Sequence, residues 1–69
     1  MTPEEILKVQ TYLRRTFRLD TIEVHRRTKK DDSAEVLIGE EFIGVLFKDE
    51  EDGETSYAFQ MAILDIDLD

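Results

Sequence analysis

His25 stands two residues from Glu23 and two from Arg27, and an imidazole beside a carboxylate is one ingredient of general-base catalysis. Such catalysis also needs a nucleophile and a donor site for developing negative charge. Ser33 and Ser56 carry no supporting signature, and the chain has no cysteine, so the pair reads as strand surface and no catalytic residue is assigned. The lack of cysteine excludes disulfides and thiolate zinc sites, and a single histidine leaves no imidazole cluster. Gly39, Gly44 and Gly53 stand singly, so no glycine-rich loop is present to cradle a phosphate. Gly44, inside an apolar run, reads as a bulge or a place where another backbone comes close.

Two charged segments could bind ions or polyanions. In KDEEDGE (Lys48–Glu54), placing Gly53 at the sixth position of a calcium loop puts Lys48 at the first and Phe59 at the twelfth. Both positions require oxygen ligands, so the segment reads as a charged hairpin tip; neither a metal nor a cofactor is expected. In HRRTKKDD (His25–Asp32), four cationic side chains fill five positions before the sign reverses. A short basic run can grip nucleic acid. Here no aromatic is interleaved to stack a base, and Asp31 and Asp32 follow directly. The expectation is a strand end and turn, which disfavours nucleic acid. The alternative is a nucleic-acid-associated protein using Arg14, Arg15, Arg18, Arg26, Arg27, Lys29 and Lys30.

The elements that carry these residues follow from local pattern. Thr2-Pro3-Glu4-Glu5 starts a helix: a hydroxyl cap, proline at the first helical position and glutamate completing a capping box. Ile6, Val9, Leu13 and Phe17 then recur at helical spacing, with Arg14, Arg15 and Arg18 at the negative end of the helix dipole. This predicts a helix from Pro3 to about Phe17. Beyond Asp20 the chain reads as strands separated by turns: TIEVHRR, SAEVLIG, EFIGVLFK and SYAFQMAIL. The predicted fold is α+β, one N-terminal helix on a four-stranded antiparallel meander (αββββ), with residues 1–69 as a single domain. LDIDLD (Leu64–Asp69) is expected to fray rather than extend the last strand.

Net charge is −8, divided unevenly. Residues 1–30 hold eight of the nine cations and four acids, giving +4; residues 31–69 hold Lys48 against thirteen acids, giving −12. The halves attract each other, and the acidic half repels phosphate backbones. The start of the chain is acidic where a secretory leader is basic, and no run is long enough to cross a bilayer, so no membrane association and a cytoplasmic location are expected.

The turn at EEDG decides which side chains share a face. A two-residue Asp52-Gly53 turn sets Leu46 opposite Phe59 and divides the large apolar residues between both faces. A three-residue loop, Glu51-Asp52-Gly53, shifts the register by one. It gathers Ile43, Val45, Phe47, Tyr57, Phe59, Met61 and Ile63 beneath the helix, with Ala34, Val36 and Ile38. The longer loop is preferred on that ground. It leaves Leu37, Phe42, Gly44, Leu46, Ala58, Ala62 and Leu64 on the uncovered face, more apolar than a solvated face should be. Those seven residues are the candidate interaction site, for a protein partner or a second copy in a homodimer.

TPEEILKVQTYLRRTF, KKDDSAEVLIGEEFIGVLF and DGETSYAFQMAIL together resemble a family of short alphaproteobacterial proteins known only as a domain of unknown function. The resemblance spans nearly the whole chain. It implies a bacterial, cytoplasmic, stand-alone small protein and brings no reaction, cofactor or catalytic residue. From the residues themselves, the expected function is a non-enzymatic protein-interaction module.

Overall fold

The computed structural model describes residues 1–27 and 32–68. Helix α1 spans Pro3–Phe17, followed by strands β1 (Ile22–Arg26), β2 (Ser33–Ile38), β3 (Glu41–Glu51) and β4 (Glu54–Gln60), then a 3₁₀ turn at Asp65–Leu68. The strands form one antiparallel sheet in the order β1-β2-β3-β4, so the α+β meander expected from the sequence is the observed fold.

The helix begins where its caps dictate. The Thr2 hydroxyl accepts from the Glu5 N–H at 3.1 Å, and Glu5 Oε1 accepts from the Thr2 N–H at 2.9 Å, completing the capping box. It ends at Arg18, which adopts the left-handed conformation (φ 55°), while the Leu19 N–H donates to the Arg14 carbonyl at 3.0 Å.

The helix lies over β1 rather than over the middle of the sheet, and its contacts run mainly to that strand. Leu13 packs on Ile22, Val24, Ala34, Val36 and Leu46 to form the core, with Ile6, Val9, Leu19, Ile38, Ile43 and Phe59 around it. Two helix side chains also serve the outer edge of β1. Arg14 Nε donates to the Ile22 carbonyl at 2.7 Å, and Gln10 Oε1 accepts from the Val24 N–H at 3.0 Å. That edge is thereby closed by side chains one helical turn apart.

The register at the β3–β4 turn differs from the expected one. Glu51 pairs with Glu54, which leaves a two-residue Asp52-Gly53 turn, and Leu46 pairs with Phe59. Both turn residues have positive φ, 52° and 80°, the type I′ geometry that Asp-Gly favours because its twist matches the flanking strands. Leu46 is 2 % exposed and belongs to the core. The other end of the hairpin carries one expected feature and one difference. The β2–β3 register shifts after Val36, which leaves Ile43 as a bulged residue and turns Ile43 toward the core. β4 ends at Gln60 instead of continuing to Leu64, and the segment expected to fray forms a 3₁₀ turn in which the Asp67 N–H donates to the Leu64 carbonyl at 2.9 Å.

Gly44 sits at this bulge for a steric reason. A Cβ there would lie 2.5 Å from the Gln60 carbonyl oxygen and 2.6 Å from the Phe59 ring. The glycine therefore marks both a bulge and a close approach of another backbone, the two meanings weighed from sequence.

Candidate interaction surfaces

Alternation along the observed register assigns each side chain to a face. Val24, Val36, Gly44 and Leu46 lie toward the helix with Lys48, Tyr57 and Phe59. Glu23, His25, Glu35, Leu37, Phe42, Val45, Phe47, Ala58 and Gln60 lie on the opposite face. The seven-residue candidate site is therefore divided. Leu46 and Gly44 are buried on the helix side and do not belong to the uncovered face. Leu37, Phe42 and Ala58 do lie on that face, Leu37 half-buried and the other two exposed. Ala62 and Leu64 follow the end of β4 and line a groove with residues of β3. Val45 and Phe47, expected beneath the helix, face away from it. The Asp52-Gly53 dipeptide was the signal that could have placed them, since its turn preference fixes the parity of every residue in both strands.

The groove occupies about 520 Å³ between the bulged end of β3 and the chain that leaves β4. Phe42, Val45, Phe47, Met61, Ala62 and Leu64 supply its apolar wall. Phe42 is 53 % exposed, Phe47 38 % and Leu64 58 %, so large apolar side chains meet solvent side by side. On the helix side a second groove, of about 400 Å³, runs between α1 and β4; Val9, Tyr12 and Leu13 form one wall, Tyr57 and Phe59 the other, and Leu46 lies between. It exists because the helix is displaced toward β1 and leaves the β4 side of its own face open.

A polar cluster closes one side of that arrangement. Glu5 Oε2 accepts from the Tyr57 hydroxyl at 2.7 Å and pairs with Lys48 Nζ at 2.6 Å; Lys48 also lies 3.5 Å from Glu50. The Lys48 ammonium, the Thr2 N–H and the Tyr57 hydroxyl all favour the charged carboxylate and hold the Glu5 pKa at about 2. The same carboxylate raises the pKa of Lys48 and of Tyr57. The cluster joins the first turn of α1 to β3 and β4, and each of its members is occupied by another.

The remaining sequence candidates fall as follows. His25 Nε2 lies 2.9 Å from Glu23 Oε1 on an open strand surface. The acidic tip Asp49–Glu54 carries the β3–β4 turn, and no group of three or more potential metal-ligating side chains gathers among the described residues. Arg26 and Arg27 are exposed at the end of β1; Thr28–Asp31, the rest of the basic run and its turn, lie outside the described residues. Arg14 is committed to the Ile22 carbonyl, and the Arg15 guanidinium stands 5.9 Å above the centre of the Tyr12 ring. The basic residues are thus partly engaged within the fold. No helix among the described residues is long and apolar enough to cross a membrane.

Residues 5–67 match the family described as "Protein of unknown function (DUF3126)", and the chain belongs to that family. No curated protein and no solved structure matches the chain.

Proposed function

We propose that this member of the family is a small, non-enzymatic protein-interaction module, bacterial and cytoplasmic, which receives a protein partner on the sheet face opposite its helix. The observation that carries the reading is the run of exposed apolar side chains, Phe42, Phe47, Met61 and Leu64, gathered along one groove. Contiguous apolar surface of this kind is unusual on a monomer and commonly marks an interface. The chemistry of the other candidates supports the non-enzymatic part. The His25–Glu23 pair lies open on the strand surface, and the Glu5–Lys48–Tyr57 cluster spends its hydrogen bonds on holding three elements together.

The test is affinity capture from the native cytoplasm with the wild type and with Phe42→Glu. Phe42 is half-exposed and outside the core, so the variant keeps its circular dichroism while losing the proteins the wild type retains. Retention of the same proteins by Phe42→Glu overturns the reading. So does recovery of nucleic acid in a complex that dissociates steeply as salt rises, since phosphate contacts have that dependence and apolar contacts do not.

A further inference from the structure

The two edges of the sheet are chemically unequal. On β1 the outward Ile22 carbonyl and Val24 N–H are occupied by Arg14 and Gln10. On β4 the two-residue turn makes Glu51 and Glu54 a hydrogen-bonded pair, and the alternation that follows points the backbone groups of Thr55, Tyr57 and Phe59 away from β3. Among the described residues no side chain or loop bonds those outward groups. Few of the protections that edge strands ordinarily carry are present: Glu54 is the one charged residue of β4, Thr55 to Gln60 hold no charge and no proline, and β4 pairs with β3 without a bulge.

From this we infer that β4 pairs antiparallel with β4 of a second copy of the chain, about a two-fold axis at Tyr57. Charge selects both the occupant and the direction. In this register Thr55 faces Phe59 of the second copy, Ser56 faces its Ala58, Tyr57 faces its Tyr57, and Glu54 faces its Gln60, so no like charges meet. The two acidic tips then stand at opposite ends, separated by the length of the strand, about 20 Å. Parallel pairing would instead bring the acids of Asp49–Glu54 against their own copies. Tyr57 and Phe59 lie on the helix side and are only partly covered, so a second copy places aromatic side chains against aromatic side chains across the new pair. The result is an eight-stranded sheet with both helices on one face. The groove at Phe42 and Leu64 is on the other face and stays open, so this contact is separate from the partner surface proposed above.

Sedimentation equilibrium over a range of protein concentrations tests the inference with paired charges. Ser56 and Ala58 are exposed and face each other across the axis, each pairing occurring twice. Ser56→Lys with Ala58→Lys sets like charges together and raises the dimer dissociation constant by about tenfold or more. Ser56→Lys with Ala58→Glu sets opposite charges together and keeps the wild-type dimer. Hydrogen exchange of the unsubstituted protein supplies a second readout: the Thr55, Tyr57 and Phe59 amides slow as concentration rises. A wild type that stays monomeric, or equal weakening by the two double variants, overturns the inference. If Phe42→Glu dissociates the dimer while both β4 variants leave it intact, the contact is through the face. That result sinks edge pairing and leaves the proposed partner surface standing.

Discussion

Leu46→Ala separates the two registers of the β3–β4 hairpin by the size of its effect. Leu46 is 2 % exposed, between Ala34 on one side and Phe59 on the other, beneath the helix residue Leu13. Truncation to alanine removes three carbons, worth about 2.4 kcal/mol at roughly 0.8 kcal/mol each, before any cavity is counted. Buried leucines cost about 2–5 kcal/mol on this change, and the spread reflects how far the site collapses. Here the groove between α1 and β4 already adjoins Leu46, so the void opens toward solvent-accessible space rather than forming a sealed cavity. The expected cost is therefore in the lower half of that range, about 2–3 kcal/mol. A domain of this size is stable by only roughly 3–5 kcal/mol, so the variant should keep about 0–3 kcal/mol of it. Urea titration followed by circular dichroism, with Val45→Ala as the companion, measures it. Val45 is half-buried on the uncovered face, so its truncation costs less. A Leu46→Ala change below about 0.5 kcal/mol, the range of ordinary surface substitutions, would refute the placement of Leu46 in the core.

Gly44→Ala should destabilise by about 1–3 kcal/mol through overpacking, because the Gln60 carbonyl that blocks the new methyl is backbone and cannot swing away; an unchanged denaturant midpoint would contradict the close approach. Stability should also depend on acid pH through Glu5. Its pKa falls from an ordinary 4.5 to about 2 in the fold, so its contribution is complete above about pH 4.5 and is lost as pH falls toward 2. Glu5→Gln should flatten that part of the pH profile of thermal unfolding, and a profile with wild-type slope would show that other carboxylates carry it. Lys48 and Tyr57 have the opposite sign: their pKa values are raised, so what they contribute persists below their unfolded values and disappears at alkaline pH.

The parts of the fold visible in the sequence were those fixed by neighbours along the chain. Thr2, Pro3 and Glu5 define a helix start by themselves, and the observed helix begins where they imply and ends at Phe17, the last residue of the apolar stripe. The strands were legible from alternation, although their ends were not. The register is not legible because two sound rules conflict at Asp52-Gly53. Collecting every large apolar residue on one face favoured the longer loop; the twist preference of Asp-Gly favoured the shorter one. The premise of the first rule fails here because the helix sits over β1, so there is no reason for Val45 and Phe47 to lie beneath it. The candidate surface inherited that error: Leu37, Phe42, Ala58, Ala62 and Leu64 remain near the uncovered side, while Leu46 and Gly44 moved to the other. The Glu5–Lys48–Tyr57 cluster was not legible at all, since its members are brought together only by the register and the helix position.

Glu5 also has a bearing on how the fold is reached. One of its oxygens completes a local cap three residues away, and the other accepts from Tyr57, 52 positions along the chain. The helix cap and the docking of the last hairpin therefore share one carboxylate, each taking one of its oxygens. During synthesis the helix can form as soon as it emerges, but Glu5 gains its second set of partners only after β4 has been made. Contacts of such sequence separation form late and slow the search. Glu5→Gln should consequently accelerate unfolding more than it retards folding, and a chevron analysis would register the change mainly in the unfolding limb.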